Sequence, residues 1–265
     1  LADRRVVAIT LTGSEQAGAS VAELADRALK PSVLELGGSD PFVVMPSADL
    51  GAAGAAAGAS RTLNNGQSCI NAKRFVVHAA IYDAFEGALV EAFAALRVGD
   101  PMDASTQVGP LALASVRGDV VDQVERSVAA GARLLVGGRA FGERGHWFAP
   151  GVLASAPPGS PARREEIFGP VATLVRVANL DEAIAVANET PYGLGSSVWT
   201  HDEAEIARLV DELEAGQTFV NAMVASDPRL PFGGIKLSGY GRELAAPGIR
   251  AFVNVKTVFR ARSSG

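Results

Sequence analysis

A single cysteine, Cys69, follows Asn65-Gly66-Gln67-Ser68. A helical pattern ends at Gly66, polar residues follow, and the thiol falls at a turn where its own N–H can point at a ligand. Two readings stand. Cys69 is a buried free cysteine acting as a small hydrophobe, or a nucleophile in the partly open setting that thiolate chemistry needs. Glu35 is the second candidate. It interrupts the apolar run Val33-Leu34-Glu35-Leu36 and precedes Gly37-Gly38, two glycines that let another group approach the backbone closely. It is either the outward face of a half-exposed strand or a carboxylate desolvated until its pKa suits a general base. Thr12-Gly13-Ser14 joins a strand to a helix, where N–H groups and a helix N-terminus suit a phosphate. Glu165-Glu166-Ile167-Phe168-Gly169-Pro170 sets an acidic pair before a strand and, taken alone, reads as a solvated charge pair. His78, His146 and His201 stand far apart with no second His or Cys beside them, so no metal site is expected.

These residues need elements to position them. Arg5 to Leu11 reads as a strand, Glu15 to Leu29 as a helix stopped at Lys30-Pro31, and Val33 to Leu36 and Pro41 to Met45 as strands. Asp49 is the expected N-cap of a helix running to about Asn65, with Gly66 as its C′ residue. Phe75 to Val77 is a strand. Ile81, Phe85, Leu89 and Phe93 recur every four residues, as do Val116, Val120, Val124 and Val128, so each set marks one helix face. Further strands are expected at Arg133–Val136, Val171–Val177, Ser196–Thr200 and Gln217–Val220, with helices near Asp181–Asn188 and Asp202–Glu214. Alternating strand and helix predicts an α/β fold with a mostly parallel sheet. The Gly-rich run from Pro231 to Gly241 reads as a crossing between domains. Ala251 to Phe259 alternates β-formers and polar residues, as an edge strand that could pair with another subunit would.

Composition narrows the function classes. The chain has 265 residues, 48% of them hydrophobic and 20% charged, which is the profile of a folded domain rather than of disorder. The net charge is −5, from 24 basic and 29 acidic residues, so a nucleic-acid partner is not expected. No run reaches the roughly eighteen apolar residues of a membrane span, and the first residues do not form a signal peptide. One cysteine makes no internal disulfide, and a cytoplasmic location is expected.

Taken together, the motifs resemble the aldehyde dehydrogenase superfamily. Leu11-Thr12-Gly13-Ser14, Leu34-Glu35-Leu36-Gly37-Gly38, Gly66-Gln67-Ser68-Cys69 and Glu166-Ile167-Phe168-Gly169-Pro170 recur in the family's order and spacing. Pro231-Phe232-Gly233-Gly234 with Ser238-Gly239-Tyr240-Gly241-Arg242-Glu243 completes the set. The resemblance covers essentially the whole chain. It implies that Cys69 attacks the aldehyde carbonyl, that hydride passes to NAD or NADP, and that Glu35 activates the water that hydrolyses the resulting thioester. It places Gly13 and Ser14 at the pyrophosphate, Glu166 on the nicotinamide ribose, Phe168 near the nicotinamide and Leu36 in the same cofactor site. The Cys69 N–H would be one arm of the oxyanion hole.

Within the superfamily the likeness is to bacterial succinate-semialdehyde dehydrogenases, through Leu36-Gly37-Gly38-Ser39-Asp40-Pro41-Phe42, Ala72-Lys73-Arg74-Phe75 and Ala225-Ser226-Asp227-Pro228-Arg229-Leu230. Many enzymes of that specificity carry an arginine six residues before the nucleophile; here Leu63 stands there, and Ser226 and Arg229 are the substrate-binding candidates. The resemblance also implies an organisation: residues 1–36 as the end of the NAD(P)-binding domain, 37–229 as an aldehyde dehydrogenase-like catalytic domain, 230–250 as a return to the cofactor domain, and 251–265 as an oligomerisation strand and tail. On this reading the chain is a C-terminal portion, expected to form homo-oligomers through the C-terminal strand when full length and not to oxidise aldehydes unaided. The competing expectation is a non-catalytic remnant that keeps the fold and binds other subunits.

Overall fold

In the computed structural model, which describes residues 1–262, the chain opens with β1 (Ile9–Thr12), α1 (Glu15–Arg27) and β2 (Ser32–Glu35). It continues through β3 (Asp40–Val44), α2 (Leu50–Thr62), a 3-10 turn (Leu63–Gly66), β4 (Ala72–His78), α3 (Ala79–Ala94) and α4 (Ala114–Ala129). Next come β5 (Arg133–Val136), β6 (Gly151–Ala154), the single-turn α5 (Pro161–Arg164), β7 (Val171–Val177), α6 (Leu180–Asn188), β8 (Tyr192–Gly193) and β9 (Gly195–Trp199). The last elements are α7 (Glu203–Glu212), β10 (Gln217–Val220), β11 (Ile235–Lys236), β12 (Gly239–Tyr240) and α8 (Ala245–Arg250).

The main sheet has seven strands in the order β10-β9-β3-β4-β7-β6-β5, and all its neighbours are parallel except β5 against β6. Successive side chains of a strand point to opposite faces, and the core divides accordingly. Phe42, Val44, Phe75 and Val77 pack on α2 and α3. Val43, Met45 and Val76 pack on α6 and α7. Strands covered on both faces favour apolar runs, which is why Phe42-Val43-Val44 of β3 and Phe75-Val76-Val77 of β4 are continuously hydrophobic. A third cluster seats α4 on β6 and β7 through Val120, Val124, Leu153 and Val171.

Two basic residues lie inside this core without a carboxylate at hydrogen-bond distance. Arg74, on the central strand β4, donates to the carbonyls of Ser39 (2.8 Å), Val186 (2.8 Å) and Ala187 (2.9 Å), and so closes the C-terminal end of α6. Arg61, on α2, donates to the carbonyls of Val171 (2.7 Å) and Ile167 (2.7 Å) and to that of Gly169.

A separate three-stranded sheet has the order β1-β2-β12, with β1 parallel and β12 antiparallel to β2. The chain leaves it at Glu35 for the main sheet. It returns when Gly239 and Tyr240 pair with Glu35 and Leu34. The glycines from Gly233 to Gly241 make that return; a Cβ on Gly239 (φ +104°) would lie 2.0 Å from the Leu34 carbonyl oxygen.

Three expectations change. The first strand covers Ile9–Thr12, not Arg5 to Leu11, because β2 offers a four-residue ladder and Arg5 instead folds back on Asp3. The helix capped by Asp49, whose Oδ1 accepts the Ala52 N–H at 3.0 Å, ends at Thr62 rather than near Asn65. Asn64 and Asn65 take left-handed φ values of +52° and +58°, a conformation that asparagine tolerates better than most residues. Ala251 to Phe259 forms no strand with the described residues: it has no ladder partner among them, and Val255 and Phe259 are exposed. The end of the expected tail, residues 263–265, lies outside the described residues. Among the described residues no helix is long and apolar enough to cross a membrane, and no cluster of His, Cys, Asp and Glu could hold a metal ion.

Candidate active site

The turn that carries Cys69 is built on backbone contact. Gly66 has φ +76°, and a Cβ there would lie 2.4 Å from the Gly169 carbonyl carbon and 2.5 Å from the Pro170 nitrogen. The Gly66–Cys69 motif and the Glu166–Pro170 motif therefore touch main chain to main chain. Asn65 holds the turn from the other side, accepting the Gly109 N–H (2.8 Å) and donating to the Pro110 carbonyl (3.2 Å). Asn71 pins its far end by donating to the Leu63 carbonyl at 2.8 Å. Gly66→Ala should destabilise the protein by about 2 kcal/mol or more, combining left-handed strain with a backbone clash. Urea denaturation measures it; an unchanged midpoint would mean that the turn yields easily.

Gly37 and Gly38 form the wall between the motifs. A Cβ on Gly38 would lie 2.5 Å from the Cys69 carbonyl oxygen, and one on Gly37 would lie 2.5 Å from Glu166 Oε2. The Gly38 N–H donates to Glu166 Oε1 at 3.1 Å. The close approach expected at this glycine pair is thus an approach by the nucleophile turn and by a carboxylate.

Cys69 and Glu166 line a cleft of about 600 Å³ together with Thr12, Gly13, Ser14, Leu36, Gly37, Asn64, Gln67, Ser68 and Phe168. All five expected cofactor residues are in this set, on two sides. On one side Ser14 caps α1, accepting the Ala17 N–H at 3.3 Å, and the Gly13 N–H donates to the Glu35 carbonyl at 2.9 Å. The N-cap of α1 and the Thr12-Gly13 turn before it therefore line the cleft at the helix N-terminus. Leu36 supports it from below: a Cβ on Gly18 of α1 would lie 2.5 Å from Leu36 Cδ1. On the other side stand Glu166 and the half-exposed ring of Phe168. A helix N-terminus for phosphate, a carboxylate for hydroxyls and an aromatic face fit the nicotinamide, ribose and pyrophosphate portion of a dinucleotide.

Burial pushes the Cys69 thiol above its ordinary pKa. Lys73 opposes this, while Asp40, Glu166 and Glu35 add to it. The thiolate is thus the minor form at neutral pH.

Glu35 is 2% exposed, which excludes the half-exposed strand face. Neither carboxylate oxygen has a hydrogen bond of good geometry. Its pKa is raised to about 7, first by burial and then by the charge of Glu243, with the Gly234 N–H and Arg242 pulling the other way. The carboxylate sits against the return crossing, since a Cβ on Gly233 would lie 2.7 Å from Oε1. Glu35 does not line the cleft in this conformation.

The raised pKa links Glu35 to stability. Its folded value, about 7, lies above its ordinary 4.5, so the folded chain holds the proton more tightly than the unfolded chain. That contribution is fully present below the ordinary value and is lost as pH rises through the folded one. The wild type should therefore lose on the order of 2–3 kcal/mol relative to Glu35→Gln between pH 4 and pH 9. Parallel urea titrations read the gap, and a pH-independent gap contradicts the assignment.

The two expected substrate residues are elsewhere. Ser226 is exposed, and Arg229 is exposed with its Nη2 on Asp227 Oδ2 at 2.6 Å. Neither lines the cleft, and no Lys or Arg does. Residues not singled out from sequence also shape the site. Asn64 and Gln67 line the cleft, Arg61 holds the segment behind it, and Lys73 and Asp40 lie buried beneath the nucleophile turn. The available signal for Lys73 and Asp40 was a charged residue at each start of two apolar strands.

A sequence model described as the aldehyde dehydrogenase family matches residues 1–258. Succinate-semialdehyde dehydrogenase (NADP+) 1 of Mycobacterium tuberculosis (strain ATCC 25618 / H37Rv) is 56% identical over 261 residues, which are 98% of this chain and 57% of that protein. A succinate-semialdehyde dehydrogenase (NADP+) of Mycobacterium avium (strain 104) is 56% identical over 259 residues, 98% of this chain and 55% of that protein. Among solved structures, succinic semialdehyde dehydrogenase from Streptococcus pyogenes in complex with NADP+ superposes with a TM-score of 0.95 at 41% identity, covering 98% of this chain and 57% of that one. Lactaldehyde dehydrogenase from Escherichia coli superposes at 0.93 with 33% identity, covering 96% and 54%. The chain spans a little over half the length of these relatives.

Proposed function

The chain belongs to the aldehyde dehydrogenase family, and from that premise we propose that it carries the acyl-transfer machinery of an NADP-dependent oxidation of succinate semialdehyde to succinate. The observation that carries this reading is the cleft itself, where Cys69, Glu166 and the N-cap of α1 line one space. The names of the relatives supply the substrate and the choice of NADP over NAD.

Each residue has a definable task. The Cys69 thiolate adds to the aldehyde carbonyl, and its own N–H supports the developing oxyanion. The chemistry that bound NADP+ supplies is acceptance of hydride from the carbon that Cys69 holds. Gly13 and Ser14, Glu166 and Phe168 orient that cofactor, and Leu36 braces α1 behind it. Glu35 leaves its resting place against Gly233, takes a proton from water, and the hydroxide equivalent attacks the thioester. The carbonyl re-forms, the thiolate leaves, and succinate and free Cys69 result. With a pKa of about 7 in its resting place, Glu35 can give up its proton at neutral pH before it moves to the water.

Three further assignments belong with this reading. The cofactor domain comprises residues 1–36 and 230–250, the catalytic domain 37–229, and 251–265 forms an oligomerisation strand and tail. The unpaired alternation at Ala251–Phe259 gives the strand its rationale as a pairing edge for a second copy. A thiol that must stay reduced fits the cytoplasm.

The test has two arms. Hydrolysis of p-nitrophenyl acetate needs the thiol and the water base but no hydride step, so it reads Cys69 and Glu35 alone. NADPH formation from succinate semialdehyde, compared with butanal and with NAD+ and measured on a chain of the relatives' full length, reads the rest. The expected order is succinate semialdehyde with NADP+ first. Ester hydrolysis no faster than that of Cys69→Ser would overturn the nucleophile assignment and leave the non-catalytic, subunit-binding role. Equal use of butanal would overturn the substrate.

A further inference from the structure

Lys73, the second residue of β4, has a side chain only 3% exposed. Instead of reaching for solvent, its Nζ turns back under the nucleophile. It donates to the carbonyls of Ser68 (3.0 Å), Cys69 (2.9 Å) and Asn71 (3.3 Å). The same nitrogen lies 3.3 Å from Glu166 Oε1, the oxygen that accepts the Gly38 N–H. An ammonium group has three donors, and here all of them are directed at the turn and at this carboxylate. A buried cation persists only when it is fully partnered, and every partner of Lys73 belongs to the reaction cleft or its supporting turn. No step of the acyl-transfer chemistry uses it.

We propose that Lys73 is a positioning residue: its ammonium bolts the Ser68–Asn71 turn to Glu166, so that the thiol and the carboxylate of the cofactor side move as one unit. This rests on the function proposed above and deepens it. A ligand whose hydroxyls engage Glu166 draws on the anion that balances Lys73. The lysine then faces Cys69 with its charge less compensated, which favours the thiolate at the moment the cofactor is in place. The electrostatic setting supports the geometry. Cys69 is faced by Lys73 from β4, Asp40 from β3, Glu35 from β2 and Glu166 from the segment before β7, and Lys73 is the cation of this group. Lys73 in turn faces Glu166, Arg61 of α2, Asp40 and Cys69.

The experiment is the rate of Cys69 alkylation by iodoacetamide, measured from pH 6 to pH 10 on the whole chain, for the wild type, Lys73→Met and Glu166→Gln. Removing the cation should move the midpoint of the Lys73→Met profile upward and slow alkylation at pH 7.5 by about tenfold. Removing the anion should move the Glu166→Gln midpoint downward. A merely structural lysine gives the opposite result in the first variant: loosening the turn exposes the thiol and lowers its pKa toward the ordinary value near 8.5. A Lys73→Met midpoint that stays or falls overturns the proposal. If that variant does not fold, an unmoved midpoint in Glu166→Gln overturns it. The function and the inference fail separately. A wild type that reacts only in urea removes Cys69 as an accessible nucleophile and both ideas with it. A reactive wild type with unmoved variants removes Lys73 alone.

Discussion

Replacing Cys69 by serine should abolish the burst of p-nitrophenol from p-nitrophenyl acetate and reduce steady turnover by at least about 10³-fold. The chain has one cysteine, so no other thiol can substitute. An alcohol in the same place is far less acidic, and no histidine lines the cleft to activate it. The serine hydroxyl is close in size to the thiol and should keep the turn intact, because what holds the turn is the Gly66–Gly169 contact and the Asn65 and Asn71 hydrogen bonds. Stability in urea should therefore match the wild type within about 1 kcal/mol. Stopped-flow absorbance reads the burst. A variant that retains more than a tenth of the wild-type turnover would place the nucleophile elsewhere.

Glu35→Gln should separate the two halves of the reaction. Acylation needs the thiolate alone, and the negative charge of Glu35 disfavours the thiolate, so the burst should keep its amplitude and not slow. Deacylation needs a base for water, and losing a general base costs about 10²–10⁴ in rate. The expected trace is a full burst followed by near-zero turnover, with an acetylated Cys69 detectable by mass spectrometry. In the wild type the steady rate should rise through pH 7, because Glu35 must be ionised to accept a proton and its pKa is about 7. In the variant that rise should vanish. Equal loss of burst and turnover would show that Glu35 supports acylation or the fold and not water activation.

Both predictions use a site assembled from segments far apart in the chain, and this limits what sequence alone can say. Local periodicity was a sound guide wherever an element packs along its own length. The four-residue recurrence of Ile81, Phe85, Leu89 and Phe93 follows α3, where the last three are buried, Ile81 is partly buried and the core also takes Tyr82. The runs Val171–Val177 and Gln217–Val220 coincide with β7 and β10. Asp49 and Asp202 cap α2 and α7 because a side-chain oxygen beside free N–H groups is a local event. The strands β8, β11 and β12 have two residues each. No pattern exists in so short a segment; only the neighbour it pairs with defines it. The reverse holds for Ala251–Phe259, where the alternation of a strand is present and no neighbour is.

The sequence by itself singled out the candidate residues, because motif identity and order are chain properties: Cys69 after its glycine turn, Glu35 before its glycine pair, Glu166 and Phe168 before β7. Tertiary structure decided what those residues can do. Glu35 has its raised pKa because the return crossing at Gly233, some 200 residues on, buries it and brings the charge of Glu243 near, against the opposing pull of the Gly234 N–H and Arg242. Gly38 must lack a side chain because the Cys69 carbonyl rests against it. Lys73 reads as a surface charge in a one-dimensional pattern, and its burial follows from the carbonyls of Ser68, Cys69 and Asn71 and the distant Glu166 carboxylate, which two separate stretches of chain bring to one point. Arg229, promising in sequence, is exposed and paired with its own neighbour Asp227. Residue type and spacing are written locally, whereas desolvation and charge pairing depend on what folding places a few ångströms away, and those two terms set the pKa values on which the reaction runs.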